Sequence, residues 1–109
     1  MTLKHNFRHK YNVSPKGDRT RNGIVFDSKK EMHYYDGLQL LKQSGEVLFF
    51  LRQVPFHLAG GTRYLCDFCV FYTNGVVRFV DVKGFKTQTY LAKKKQVEDL
   101  YRPVEIEEI

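Results

Sequence analysis

The sequence predicts a single α/β domain whose elements run α-β-β-β-α-β. Three observations carry that reading: a capped amphipathic stretch at 28–44, three β-rich runs between Val47 and Lys83 separated by glycine turns, and a second helical stretch at 88–101 before a short alternating tail. The chain has 109 residues, nine Phe and seven Tyr, which is enough for one core and too little for a solenoid or a two-domain enzyme.

Each element has a local cause. Ser28 followed by Glu31 is a capping-box pattern and Gly45 is a stop, while Tyr34, Tyr35, Leu38 and Leu41 form the apolar stripe between them. Val47 to Leu58 is β-rich but holds Pro55, which predicts a bulge or a sheet edge there. Gly60-Gly61 is a turn. Arg63 to Tyr72 and Val76 to Lys83 flank Thr73-Asn74-Gly75, a hairpin signal. Thr87 can cap the second helix, which Arg102-Pro103 closes, and Val104 to Ile109 alternates apolar and acidic residues as a last strand. Residues 1–22 show no usable periodicity and read as a basic N-terminal arm or loop, with the domain proper at 23–109.

The net charge of +6 is unevenly spread. Residues 1–22 carry a net +5, residues 23–82 are neutral, residues 83–95 carry +5 and residues 96–109 carry −4. Two basic blocks around a neutral centre favour a polyanionic partner. Met1 to Tyr11 lacks the apolar segment of a signal peptide, and no run approaches the length of a membrane span. Cys66 and Cys69 are too few for a disulfide framework, so a reduced, cytoplasmic protein with no membrane partner is expected.

The chemistry concentrates in two strands. Asp81 and Lys83 lie at i and i+2 and project to one face, while Asp67 is an acid within the otherwise apolar run Tyr64–Phe71 and carries a desolvation cost unless partnered. Parity decides whether the two acids meet. A two-residue Asn-Gly turn would leave them on opposite faces; a three-residue loop with Gly75 left-handed in a bulge sets Asp67 opposite Asp81, and that loop is expected. Two carboxylates so close repel unless a cation sits between them, and hard oxygen ligands select Mg²⁺ or Mn²⁺. The competing reading is a salt bridge from Lys83 to either acid, or ordinary charges at strand ends.

Asp67 followed by Asp81-Val82-Lys83, with Glu31 upstream, resembles the PD-(D/E)xK nuclease signature. Phe26-Asp27-Ser28-Lys29-Lys30-Glu31, Asp67-Phe68, Asp81-Val82-Lys83-Gly84 and Thr87-x-x-Tyr90 are similar to a phage-associated family predicted to be nucleases, over residues 20 to 109. The resemblance implies a restriction-endonuclease-like αβββαβ fold with a central mixed sheet flanked by two helices. It implies Asp67, Asp81, the Val82 carbonyl and Glu31 as metal ligands, with Lys83 as the catalytic lysine. The sequence departs from the pattern at Cys66, where the signature has proline, and at Asp81, where glutamate is more frequent. Glu31 has a second reading, a cap on the Ser28 backbone N–H.

On the second helix Tyr90, Lys94, Val97 and Tyr101 share one face, so Lys94 either reaches solvent or points at the site and holds the scissile phosphate, with Tyr90 beside it lining the phosphate path. Lys86, Lys93 and Lys95, with Arg8, Lys10, Arg19 and Arg21 of the arm, are candidate phosphate contacts that give affinity without base readout. Cys66-x-x-Cys69 alternates to opposite faces of a strand and reads as core, not as zinc or redox chemistry. The expectation is a Mg²⁺- (or Mn²⁺-) dependent DNA endonuclease, selective for branched DNA or a Holliday junction and serving phage recombination or replication. A homodimer is expected, with Val47–Leu51 either its interface or a buried central strand. The alternatives are a non-catalytic nucleic-acid-binding module of the same fold and a protein acting through protein contacts.

Overall fold

Asn22 and Gly23 make a tight two-residue turn. The computed structural model describes residues 13–82 and 86–109. They fall into two compact units, one through Gly37 and one from Leu38. In the first, a short 3-10 turn (Lys16–Arg19) leads into β1 (Thr20–Arg21), which pairs antiparallel with β2 (Ile24–Val25). Asn22 and Gly23 between them have φ of 54° and 78°, the two positive values that a type I′ hairpin requires. Residues 16–22 of the stretch expected to be an irregular arm are therefore a 3-10 turn and one side of a hairpin, and the boundary placed at 22/23 falls inside the hairpin turn. The Asn-Gly pair is the signal for it. Arg8 and Lys10 lie outside the described residues.

The Arg19 guanidinium fastens this unit by donating to the carbonyls of Ser14 and Phe26, and Phe26 N–H returns a bond to the Arg19 carbonyl. Arg21 forms a two-point ion pair with Asp36 at 2.9 Å, and His33 Nδ1 lies 3.9 Å from the same carboxylate. Phe26 is fully buried and packs on the Tyr35 ring, with centroids 4.9 Å apart.

Helix α1 (Lys29–Gln43) begins where Ser28 Oγ accepts the Glu31 N–H at 3.1 Å. It ends at Gly45, whose φ of +89° lets the N–H groups of Gly45 and Glu46 return to the Lys42 and Leu41 carbonyls.

The second unit is built on a four-stranded sheet in the order β3-β4-β5-β6: β3 (Val47–His57), β4 (Arg63–Tyr72), β5 (Val77–Asp81) and β6 (Ile106–Glu108). The first three are antiparallel, and β5 pairs parallel with β6. A parallel neighbour needs a crossover, here α2 (Gln88–Leu100), whose cap Thr87 accepts the Tyr90 N–H at 3.0 Å. The chain is thus α/β with a mixed sheet, as expected. Pro55 sits on an edge strand, where a missing donor is tolerated, and the register shift in β3 falls between Val47 and Phe49 instead. The segment Val47–Leu51 is therefore not a central strand; Leu48, Phe49 and Leu51 are exposed on the edge.

Val97 of α2 packs into a cluster of Phe56, Leu58, Tyr64, Cys66 and Ile106. Phe79 and Tyr90 border the same cluster, so Tyr64 and Phe79 face α2. Phe68 pairs with Val80, the neighbour of Phe79 that points away. In a regular strand Tyr64 and Phe68 would share a face. The side-chain alternation of β4 therefore reverses between them, in the stretch holding Asp67. The same reversal occurs in β3, because Phe56 packs on Phe79 and Phe50 on Phe68. Midway between Phe50 and Phe56 stands Gln53, with φ of +51°.

Candidate active site

Asp67 and Asp81 meet in the sheet interior. The three-residue loop Thr73-Asn74-Gly75 fixes their register: Gly75 has φ of +92°, Tyr72 N–H bonds the Val76 carbonyl at 2.9 Å, and Phe71 pairs with Val77. Counting back through Phe68 and Val80 sets Asp67 opposite Asp81. Asp81 is 0% exposed and Asp67 5%. The Asp67 N–H donates to Asp81 Oδ1 at 2.8 Å, and the Val82 N–H donates to Asp67 Oδ2 at 2.9 Å. Gln53 Nε2 donates to Asp67 Oδ1 at 3.2 Å, and the Tyr90 hydroxyl lies 3.4 Å from Asp81 Oδ2. These four donors are neutral amides and a phenol. They orient the carboxylates through neutral hydrogen bonds.

A third carboxylate, Glu108, was not anticipated from the sequence. The parallel register pairs it with Asp81, and its Oε2 takes the Tyr90 hydroxyl at 2.9 Å. Lys86 reaches Oε1 at 2.9 Å, and Lys94 lies 3.4 Å from Oε2. The hydrogen bond from Lys86, aided by Tyr90 and Lys94, holds the Glu108 carboxyl down to about 2. Burial, with Glu108 and Asp81 adding to it, pushes the Tyr90 hydroxyl well above its ordinary range. A usable signal was present: Glu108 is two residues from buried Ile106 and so shares its face, whereas Glu107 pairs on the other side with Arg78 at 2.9 Å.

The remaining expected residues are distributed as follows. Glu31 is 2% exposed on α1, its carboxylate accepting the Asp27 N–H at 3.2 Å; the cap is made, one residue further back than the Ser28 N–H. Lys83 lies outside the described residues. Lys94 is directed to Glu108 and only partly exposed; Lys93 donates to the Arg63 carbonyl at 3.4 Å, and Lys95 is exposed on α2. Arg19 and Arg21 are engaged within the first unit. Cys66 and Cys69 are buried free thiols, and burial pushes Cys66 up to about 12.

Among the described residues, no group of three or more His, Cys, Asp or Glu side chains is arranged to hold a metal ion. Asp67 and Asp81 suit a hard divalent cation in donor type, offering oxygen alone, with Val82 adjoining them. A surface groove of about 590 Å³ runs along the α2–β6 connection beside Glu98, Arg102 and Glu105 and is separate from these acids. No described helix is long and apolar enough to cross a membrane.

Residues 8–109 match a family described as "Protein of unknown function (DUF1064)". No curated protein matches the chain.

Proposed function

We propose, for a chain that belongs to this DUF1064 family of unknown function, a metal-dependent hydrolysis of DNA phosphodiesters at Asp67 and Asp81. The observation that carries the reading is the burial of two aspartates on neighbouring strands, stitched together by the Asp67 and Val82 N–H groups. Two carboxylates held side by side, each oriented by backbone N–H groups, offer oxygen donors alone, the ligand type that a hard divalent cation takes. Mg²⁺ or Mn²⁺, when bound, would supply charge for a phosphate oxygen and lower the pKa of water.

The residues of the chain divide the remaining work. Asp67 and Asp81 hold the cation, with the Val82 carbonyl beside them. Tyr90 and Lys94 stand next to Asp81 and Glu108, where an incoming phosphate group meets a hydroxyl and an ammonium. Lys86, Lys93 and Lys95 add contacts along the backbone of the nucleic acid. A water oxygen bonds to phosphorus as one bridging P–O bond breaks, giving a phosphomonoester and a hydroxyl. Lys83 as the lysine that assists the water, and Glu31 as a further ligand, rest on the resemblance to PD-(D/E)xK nucleases.

Contacts that read backbone and shape suit branched DNA, and cutting both strands suits a two-fold dimer. The exposed Leu48, Phe49 and Leu51 on the β3 edge are the candidate contact.

The test is incubation with branched, linear and single-stranded DNA in Mg²⁺, Mn²⁺ or EDTA. Asp81→Asn should retain the fold and lower cleavage at least about 100-fold. Cleavage that survives this substitution, or that never appears with any metal while DNA binding is normal, defeats the enzymatic reading. The second reading, a nucleic-acid-binding module without catalysis, draws on the capture of Lys86 and Lys94 by Glu108 and on the small carboxylate set.

A further inference from the structure

Gln53 is one of two non-glycine residues with positive φ among those described, and it stands in the middle of an eleven-residue strand. The other, Asn22, is a turn residue of a type that tolerates this conformation. Glutamine has no such aptitude, and β3 needs no turn at that point: Arg52 still pairs with Phe68 and Val54 with Cys66 on either side. The left-handed residue falls opposite Asp67 by the same register, and both strands reverse their side-chain alternation there. The amide of Gln53 is thereby brought onto Asp67 Oδ1 at 3.2 Å.

We propose that Gln53 is a positioning residue for Asp67, fixing the rotation of its carboxylate for a divalent cation; the proposal rests on the metal-dependent reading above. Val82 N–H holds Oδ2 and Gln53 Nε2 holds Oδ1, so both oxygens of the carboxylate are placed by the protein. An amide suits the task chemically. It orients the carboxylate by a hydrogen bond and adds no positive charge to compete with a cation there. Lysine or arginine at the same place would neutralise Asp67 and repel the metal.

Asparagine accepts left-handed backbone readily but is one methylene too short to reach. In a calorimetric titration of the whole protein with Mn²⁺, Gln53→Asn should weaken binding about tenfold. Its thermal midpoint should stay within about 2 °C of the wild type. Cleavage of DNA at limiting Mn²⁺ should fall and recover when the metal is raised about tenfold. Gln53→Gly, which adopts positive φ without a Cβ, should show the same loss and serves if the asparagine variant does not fold. Wild-type protein that binds Mn²⁺ while both variants bind it equally well overturns the role of Gln53 alone. Wild-type protein that is folded and takes up no Mn²⁺ overturns the metal-dependent reading and this role with it.

Discussion

The backbone N–H of Asp67 donates to the carboxylate of Asp81 at 2.8 Å, while the carboxylate of Asp67 accepts the N–H of Val82, the residue after Asp81, at 2.9 Å. Each aspartate is thus an acceptor for the strand that carries the other. Removing either side chain strands a buried donor. Asp67→Ala and Asp81→Ala should each cost about 1–3 kcal/mol in urea denaturation, partly offset by relief of repulsion. In the double variant the costs should not add, with a coupling of about 0.5–3 kcal/mol. Strict additivity would mean that the pair does not act as a unit.

Gly75 sets the register behind that pair. Its φ of +92° is left-handed, with nothing within 4 Å of the place a Cβ would occupy, so the obstacle to a side chain is the backbone conformation itself. Gly75→Ala should lower stability by about 1–2 kcal/mol. Gly37, in the helix and at an ordinary φ with the same open space, is the control: alanine there should stabilise by about 0.5–1 kcal/mol. Equal effects at the two positions would contradict the bulged loop.

Glu108 gives stability a defined response to acid. Its carboxyl is held at about 2 against an ordinary 4.5, chiefly by the hydrogen bond from Lys86. A depressed folded-state pKa contributes stability that is fully present above 4.5 and is lost as pH falls toward 2. The denaturation midpoint should therefore decline through that window, and Glu108→Gln should flatten the decline. A variant with the wild-type slope would show that other carboxylates carry it.

The same substitution should change how the protein meets a polyanion. Lys86 and Lys94 are both engaged by Glu108, and neutralising it releases them. The slope of log affinity against log salt for a DNA duplex should steepen by about 1–2, the contribution of two further phosphate contacts. Fluorescence anisotropy over a salt series measures it; an unchanged slope would place both lysines off the DNA path.

Cys66 and Cys69 should resist alkylation in the folded state. Both thiols are buried, and Cys66 is pushed up to about 12, so almost no thiolate is present near neutral pH. Iodoacetamide should label neither at pH 8 until denaturant is added, as mass spectrometry would read.

How far the sequence could be read depended on the distance over which each contact is specified. The acids Asp67 and Asp81 were legible because an acid in an apolar strand is conspicuous and the hairpin between them is local. Glu108 was missed although its phase with Ile106 was visible, because β6 meets β5 only after α2 has returned the chain. The type I′ hairpin at Asn22-Gly23 was passed over because its strands are only two residues long. Gln53 had no signal: nothing in the letters around it announces a left-handed residue inside a strand. Helix ends, by contrast, were readable to a residue, since Ser28, Gly45 and Thr87 act on their own neighbours.

The parallel pairing of β5 with β6 also bears on the order of assembly. The β4–β5 hairpin closes a short loop, whereas β6 must wait for the whole of α2, and the longer closure is the slower and entropically dearer one. The pairing of Asp67 with Asp81 belongs to the shorter closure, and the contacts of Lys86 and Lys94 with Glu108 of β6 to the longer one. Like charges on the two strands of that hairpin oppose its closure. Added salt should accelerate refolding more than it slows unfolding, and the Asp81→Asn chain should refold faster than the wild type at low ionic strength.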